Sequence, residues 1–147
     1  MTSLETFDWY DLLTRCGLQV VEDPVADGIT PIEKAIQAAS GVTVEPTATI
    51  PLSSSEAMEE LDLQWHHYAS FISLRTTGGE FLIIPPGPGG SKVGWVEVKD
   101  PYGHSLPSRV CRETGSPEFL ALSTDGRHLC AVTVEDEDYW VVTHEFS

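Results

Sequence analysis

The chain has 147 residues, of which 41% are hydrophobic, and its 23 acidic and 8 basic side chains give a formal charge of −15 at pH 7. This length and apolar content suit one folded domain and argue against a disordered acidic chain, while the charge disfavours direct binding to DNA, RNA or an anionic membrane. There is neither an apolar run near the roughly 20 residues that span a bilayer nor the basic and apolar start of a secretory signal.

The first predicted helix carries a signal at each end. Thr2 and Glu5 have the spacing of a capping box, and Gly17 can adopt the left-handed conformation that ends a helix. Between these signals the apolar residues recur at helical spacing and predict one buried face, formed by Trp9, Leu12, Leu13 and Cys16. A short strand is expected directly afterwards, over 18–22.

The second predicted helix has the clearest signal in the chain. Thr30 suits the N-cap, Pro31 the first helical position and Gly41 the end. Its expected buried stripe is apolar and consists of Ile32, Ala35, Ile36 and Ala39. A strand over 42–44 and an extended connection over 46–52 are expected to follow.

A third, short helix is predicted after the serines at 53–55. Met58 and Leu61 would face inward, and four acidic residues would face outward: Glu56, Glu59, Glu60 and Asp62. From about His66 the apolar pattern becomes alternating, so His66 and His67 mark the expected junction between the helical part and a strand-rich part.

The strand-rich part is predicted to be an antiparallel sheet. Alternation predicts strands over 68–75, 80–84, 93–98, 106–112, 119–122, 128–134 and 139–146. Pro107 favours an edge position for its strand, because proline is found in sheets mainly on edge strands. Asp125-Gly126 suits a type I′ turn, in which both central residues have positive φ. We therefore expect an α+β fold in a single domain over 1–147: two or three N-terminal helices packed on one face of a curved, mostly antiparallel sheet of about six or seven strands.

Two segments approach functional motifs without matching them. The run Gly103-His104-Ser105-Leu106-Pro107 differs from the G-x-S-x-G nucleophile elbow at its last position and is followed by a predicted strand instead of a helix. In Gly87–Lys92 a serine separates the last glycine from the lysine, unlike a phosphate-binding P-loop. We therefore expect no catalytic residue here, and 85–90 is interpreted as an irregular loop.

A metal centre is not expected either. His128 and Cys130 lie two residues apart on one predicted strand, and a zinc site would need His144 and Cys111 beside them, but no C-x-x-C or H-x₃-H spacing supports it. Three widely spaced cysteines indicate free thiols in a reducing compartment: Cys16, Cys111 and Cys130. The sequence therefore predicts a cytoplasmic protein with no cofactor and no metal ion.

The densest charge run, Glu135-Asp136-Glu137-Asp138, connects the last two predicted strands and precedes Tyr139 and Trp140. It is interpretable as a solvated turn that discourages aggregation or as an acidic docking patch with aromatic anchors; its spacing disfavours a calcium loop. The negative charge is concentrated in the first part of the chain. Residues 1–64 carry 12 acidic and 2 basic side chains, a net charge of −10, whereas residues 65–147 carry 11 acidic and 6 basic side chains, a net charge of −5. The acidic residues at 56–62 would form a second cluster, beside Trp65.

Two functional hypotheses follow. The preferred one is a small acidic binding protein, an inhibitor or immunity-type protein that neutralises a basic partner such as a nuclease toxin, through the two acidic clusters with Trp65, Tyr139 and Trp140 as apolar anchors. The alternative is a small-molecule-binding or enzymatic domain, with a pocket between helices and sheet lined by Tyr68, Trp95 and His104 and covered by the 85–90 loop.

Overall fold

The computed structural model describes residues 8–21, 29–40, 44–87 and 89–146, and its fold is α+β. The elements in chain order are α1 (Trp9–Arg15), β1 (Gln19–Val20), α2 (Ile32–Ser40), β2 (Ala48–Pro51), α3 (Ala57–Phe71), β3 (Glu80–Ile84), β4 (Val96–Lys99), α4 (Leu106–Thr114), β5 (Phe119–Leu122), β6 (His128–Val134) and β7 (Asp138–Glu145). All strand pairs are antiparallel, in the order β1-β4-β3-β5-β6-β7-β2. The predicted α+β class and antiparallel sheet are confirmed.

The helices cover both faces of the sheet. Residues of α1, α3 and α4 form the larger core with one face of the sheet, here called the main face, which includes Phe81 and Ile83. Leu82, between them, points the other way and belongs to a smaller core with Ala35 and Ala39 of α2; we call this side the α2 face. The prediction that two or three N-terminal helices share one face is therefore only partly confirmed: α1 and α3 share the main face, whereas α2 packs opposite them. The fourth helix, α4, was not predicted.

The first helix buries the predicted face but has a different cap. Leu12, Leu13 and Cys16 are buried, while the N-cap is Asp8, whose side chain accepts a hydrogen bond from the Asp11 backbone N–H at 3.0 Å. The predicted capping residues, Thr2 and Glu5, lie outside the described residues.

The second helix departs from its prediction at both the cap and the stripe. The Thr30 hydroxyl donates to the Gly126 carbonyl at 2.8 Å, so it ties α2 to the β5–β6 turn instead of capping the helix. Ala35 and Ala39 are buried as expected, but Ile36 is 38% exposed. Gly41 and two residues of the strand predicted over 42–44 lie outside the described residues, and the expected extended connection contains strand β2.

Helix α3 is much longer than predicted. Every fourth residue along it is buried: Ala57, Leu61, Trp65 and Ala69. His66 and His67 therefore lie within the helix, and the strand predicted over 68–75 is wrong. The helix ends at Phe71, and Ser73, two residues further on, has a φ of 56°, the left-handed conformation found just past many helix ends.

The segment predicted as an edge strand over 106–112 is helix α4. Pro107 occupies its first turn, where the missing backbone N–H has no intrahelical partner to lose. Leu106 and Val110 are buried one turn apart, which is the spacing of a helical face.

Helix α4 is fixed to the rest of the molecule by Arg109. Its side chain is nearly buried, bonds Asp100 Oδ2 at 2.8 Å through Nη2, and donates to the carbonyls of Cys16 and His104. A single guanidinium therefore joins the end of α1, the turn after β4 and the first turns of α4.

The two C-terminal hairpins follow the prediction closely. β5 and β6 have the predicted bounds, and β7 is shifted by one residue at each end. The β5–β6 turn is closed by a bond from the Gly126 N–H to the Ser123 carbonyl at 2.8 Å. That bond makes Thr124 and Asp125 the central pair, and neither has positive φ, whereas Gly126 after them has φ 76°. The type I′ turn predicted at Asp125-Gly126 is therefore wrong.

Candidate functional site

The tip of the β6–β7 hairpin places four carboxylates around one indole. A bond from the Glu135 N–H to the Asp138 carbonyl, 2.8 Å long, closes the turn and leaves Asp136 and Glu137 exposed. The four acidic side chains and Trp140 line a surface depression of about 400 Å³. Trp140 is half-buried, so part of its ring remains accessible within a rim of negative charge.

The two aromatic residues after this turn face opposite sides of the sheet. Trp140 lies directly opposite Thr133 in the register, on the α2 face. Tyr139 packs against the main core, and its burial raises the pKa of its phenol. The aromatic anchor beside the acidic turn is therefore Trp140, and Tyr139 contributes to the core.

Strand β2 brings the second acidic run to this hairpin. Pro51 pairs with Asp138, and the Leu52 N–H then donates to the Glu137 carbonyl at 2.9 Å. Glu56 follows four residues later, so its backbone lies within about 15 Å of Leu52 even for a fully extended chain. Glu59 and Glu60 occupy the first turn of α3.

Seven carboxylates therefore gather at one end of the molecule, which we call the acidic end: Glu56, Glu59, Glu60, Glu135, Asp136, Glu137 and Asp138. Within the described residues the five ion pairs join Arg15 to Asp11 and Glu113, Arg109 to Asp100, Arg112 to Glu113, and Arg127 to Glu145. None of the seven takes part in these pairs, so the negative charge of the acidic end is not compensated there by a described basic side chain.

Trp65 does not belong to this surface, although the sequence placed it there. Its side chain is 1% exposed, its Nε1 donates to the Cys130 carbonyl at 3.2 Å, and its ring meets that of Phe119 edge-on with centroids 5.2 Å apart. A buried indole with a satisfied N–H is a core residue. The predicted contact of Trp65 with a partner is therefore wrong.

Asp62 also has a structural role. Its carboxylate accepts from the Ser108 backbone N–H at 2.9 Å and from the Ser108 hydroxyl. Ser108 lies in the first turn of α4, where backbone N–H groups lack intrahelical partners and favour an anion. Asp62 thus joins α3 to α4.

Sequence reasoning missed two exposed apolar residues near the acidic end. Leu52 is 37% exposed beside Glu137, and Leu63 is 71% exposed one turn beyond Glu59 and Glu60 on α3. The signal was present in the sequence, because Leu63 falls outside the four-residue spacing of the buried face that includes Leu61 and so must point away from the core.

A cavity of about 400 Å³ opens on the α2 face, next to the hairpin. It lies between α2, the segment after β3, and strands β5 and β6, and Glu135 belongs to both its wall and the acidic turn. Gly90 shapes the loop beside it, since a Cβ at this position would lie 1.7 Å from the Pro85 carbonyl oxygen. Only glycine allows the chain to pass that close.

The residues predicted to line a pocket are not brought together. Trp95 is on the α2 face and donates from Nε1 to the Thr30 carbonyl at 2.9 Å, whereas Tyr68 packs against the main core. His104 lies exposed in the turn before α4. Three described residues of the predicted loop, at 85–87, do line the cavity, and Pro88 lies outside the described residues.

The surroundings of Ser105 are closer to a nucleophile elbow than predicted, because a helix follows it. Ser105 has φ 60° and ψ 26°, and its Oγ lies 2.9 Å from His104 Nδ1. The carboxylate nearest in sequence, Asp100, is bound by Arg109 instead of orienting His104 as a triad requires. Ser105 and His104 are therefore hydrogen-bonded to each other, but this turn supplies no free carboxylate to complete a catalytic triad.

The segment compared with a P-loop also lacks the required structure. After the single 3₁₀ turn Gly90–Lys92 the chain enters strand β4, whereas a phosphate-binding loop leads into a helix whose N-terminus faces the phosphate. The observed geometry therefore agrees with the loop interpretation.

The imagined zinc site is excluded by the register of β6 and β7. His144 lies opposite Leu129 on the α2 face, whereas Cys130 faces the main core. Over the described residues no group of three or more His, Cys, Asp or Glu side chains is arranged to hold a metal ion. Burial raises the pKa of the Cys16 thiol to about 11 and that of Cys130 further, so both stay protonated at neutral pH.

In the described part of the chain, none of the helices has the length and apolar character needed to cross a bilayer. Comparisons of the chain with protein-family models, with curated proteins and with solved structures found no match.

Proposed function

We propose that this protein is a small cytoplasmic binding protein that neutralises a basic protein partner, in the manner of an inhibitor or immunity protein, and that the partner is a nuclease-type toxin. The observation that carries this proposal is the acidic end: seven carboxylates without a described basic counterpart in an ion pair, four of which surround the accessible edge of Trp140.

Uncompensated charge favours such a role for a physical reason. A surface of one sign raises the rate at which a partner of opposite sign is encountered, and this steering weakens as salt screens the charges. Proteins that cleave nucleic acids need basic side chains where they contact phosphates. The basic groove formed by these side chains is complementary in charge to a rim of carboxylates. Such a rim would therefore compete with the nucleic acid for the groove.

Apolar groups beside the charge supply the second requirement. Trp140 lies inside the carboxylate rim, Leu52 is exposed next to Glu137, and Leu63 is exposed one turn beyond Glu59 and Glu60 on α3. Interfaces commonly concentrate binding energy in a few aromatic or apolar residues enclosed by polar ones. We infer that Trp140 is the central anchor, with the carboxylates setting the rate and orientation of association.

The test is affinity capture from the protein's native cell extract with the intact chain. The tip variant, Asp136→Asn with Glu137→Gln, is compared with a matched control, Glu33→Gln with Glu45→Gln, which removes the same charge from exposed positions elsewhere. We expect the wild type and the control to retain one basic protein stoichiometrically at low salt, and the tip variant to lose most of it.

The proposal also predicts a functional readout. The captured protein should have a nucleic-acid-cleaving activity that the wild type suppresses and the tip variant suppresses less. Capture of no stoichiometric basic protein, or equal capture by the tip variant and the wild type, would contradict the proposal.

A further inference from the structure

Arg75 differs from the other described arginines, and the inference drawn from it stands apart from the partner-binding proposal. Each of the other four forms an ion pair with a carboxylate: Arg15, Arg109, Arg112 and Arg127. Arg75 forms no ion pair with any described residue, although the chain has 23 acidic side chains and only 8 basic ones. Its positive charge is therefore not matched by a described carboxylate.

The hydrogen bonds of Arg75 are long and involve uncharged groups. Its Nη1 donates to the Gly103 carbonyl at 3.1 Å, and its Nη2 lies 3.3 Å from His66 Nδ1 and 3.4 Å from Ser70 Oγ. Bonds from a guanidinium to an anion are typically about 2.7–2.9 Å long. The Ser70 side of the guanidinium is exposed, so an anion from solvent can reach it.

His104 lies next to this guanidinium. It follows Gly103 directly, so its Cα is within about 7 Å of Arg75 Nη1, counted along the bonds from the Gly103 carbonyl oxygen. The His104 side chain is exposed, and its Nδ1 lies 2.9 Å from the hydroxyl of Ser105. The charges of Arg75 and His104 both lower the pKa of His66, which agrees with this proximity.

These side chains come from three parts of the fold and are here called the Arg75 cluster: Ser70 at the end of α3, Arg75 after it, and His104 and Ser105 in the turn before α4. Two carboxylates of adjoining segments are bound elsewhere. Asp100 pairs with Arg109, and Asp62 accepts from the backbone N–H and the hydroxyl of Ser108. Neither compensates the charge of Arg75.

We propose that the Arg75 cluster binds the phosphate group of a small molecule. Arg75 and a ring N–H of His104 donate to the phosphate oxygens, and the hydroxyls of Ser70 and Ser105 donate to the remaining ones. His66 positions Arg75. A tetrahedral phosphate presents oxygens in several directions and can accept from all three segments, whereas a planar carboxylate has only two oxygens. The net charge of −15 disfavours a long polyanion such as a nucleic acid, so the phosphate belongs to a small molecule.

The test titrates phenyl phosphate, inorganic phosphate and benzoate into the intact protein at constant ionic strength, followed by NMR, with sodium chloride as the reference. We expect one phosphate to bind per chain, with the largest shifts at Arg75 Nε–H and at the backbone N–H groups of Ser70, His104 and Ser105. Benzoate, a planar monoanion with the same ring, should bind about tenfold more weakly than phenyl phosphate.

The two phosphates distinguish the possible sources of the group. Tighter binding of phenyl phosphate supports a site for a phosphate monoester, because the organic part then adds to the affinity. Equal affinity supports a site for free phosphate, because the group alone is then recognised. Either result supports the assignment of phosphate to the Arg75 cluster.

Three variants test the residues. Arg75→Lys keeps the charge but removes the planar fork, and should weaken phosphate binding about tenfold. His104→Asn changes an exposed side chain and should weaken binding severalfold without depending on the fold around Arg75. The matched control is Arg127→Gln, which removes a positive charge from an exposed arginine elsewhere and should bind phosphate as the wild type does.

Four results would overturn the inference. One is the absence of saturable binding by either phosphate, and another is the same set of shifts with sodium chloride alone. The third is benzoate binding as tight as that of phenyl phosphate, and the fourth is unchanged phosphate binding in the folded Arg75→Lys and His104→Asn proteins. None of these readouts depends on a protein partner, so they leave the proposed function to its own test.

Discussion

The backbone N–H of Leu52 donates a hydrogen bond to the carbonyl of Glu137 over 2.9 Å, and this bond joins the end of β2 to the tip of the β6–β7 hairpin. Through it, acidic residues that lie about 80 positions apart in the sequence come to one end of the fold. Like charges held together repel one another, so this arrangement lowers stability unless another molecule compensates them.

That repulsion leads to a first prediction, on stability in the absence of a partner. Asp136→Asn with Glu137→Gln should raise the free energy of unfolding at low salt, measured by urea denaturation, because two repelling charges are removed. The difference from the wild type should shrink as salt is added. A tip variant less stable than both the wild type and the Glu33→Gln, Glu45→Gln control would show that these carboxylates stabilise the fold.

The buried hydroxyl of Thr133 has no hydrogen-bond partner among the described residues, and this gives a second prediction. Thr133→Val replaces the hydroxyl by a methyl group of similar size and should stabilise the protein by about 1 kcal/mol, since an unsatisfied buried polar group is removed. The matched control is Thr47→Val, whose Oγ1 bonds the Thr143 hydroxyl at 2.9 Å and accepts from the Thr143 N–H at 3.1 Å. That substitution should destabilise. Equal destabilisation by both substitutions, in urea unfolding, would contradict the account of Thr133.

A third prediction concerns the ion pair of Arg109 and Asp100. Arg109→Met leaves the Asp100 carboxylate, whose side chain is 1% exposed, without its cationic partner, and should cost about 3–5 kcal/mol of stability. Asp100→Asn leaves the guanidinium without its anion and should also destabilise. Because the two groups act together, the double variant should lose less than the sum of the single variants. Additive losses in denaturant unfolding would show that the pair is not coupled.

The pH dependence of stability should include a contribution from His66. Burial, then the charge of Arg75 and that of His104, hold the pKa of His66 below its ordinary 6.5. Arg75 Nη2 lies 3.3 Å from His66 Nδ1, and since arginine only donates, Nδ1 must be the acceptor of a neutral ring. Just below pH 6.5 the unfolded chain therefore binds more protons than the folded one, so stability is complete above 6.5 and declines as the pH falls.

His66→Gln should accordingly flatten the curve of unfolding free energy against pH as the pH falls below 6.5. Arg75→Gln should flatten it in part, because one cause of the lowered pKa is removed while burial remains. If both variants keep the slope of the wild type, His66 does not contribute to the pH dependence.

The parts of the fold that the sequence predicts are those where a local pattern has one interpretation. The β5–β6 hairpin combines alternating apolar residues with Asp125-Gly126, and its bounds are correct. Helix α4 was missed because Pro107 was interpreted as an edge-strand signal, although proline is equally suited to the first turn of a helix. Leu106, Val110 and Gly115 carried the helical spacing and the end signal.

The candidate site was predictable only in part, because its composition is local but its geometry is not. The sequence itself shows the acidic run at 135–138 and shows that Trp140 follows it closely. Whether Trp65 is exposed depends on the length of α3, and the meeting of the two acidic runs depends on the pairing of β2 with β7. The cavity depends on the face that α2 covers, which a buried stripe of Ala35 and Ala39 does not specify.

The central claim is that the acidic end binds a basic protein, and the most direct test is the association rate of the captured partner as a function of ionic strength. The tip variant Asp136→Asn, Glu137→Gln should associate more slowly than the wild type at low salt and with a shallower salt dependence, while the Glu33→Gln, Glu45→Gln control follows the wild type. Identical rates and salt slopes for the tip variant and the wild type would contradict the claim.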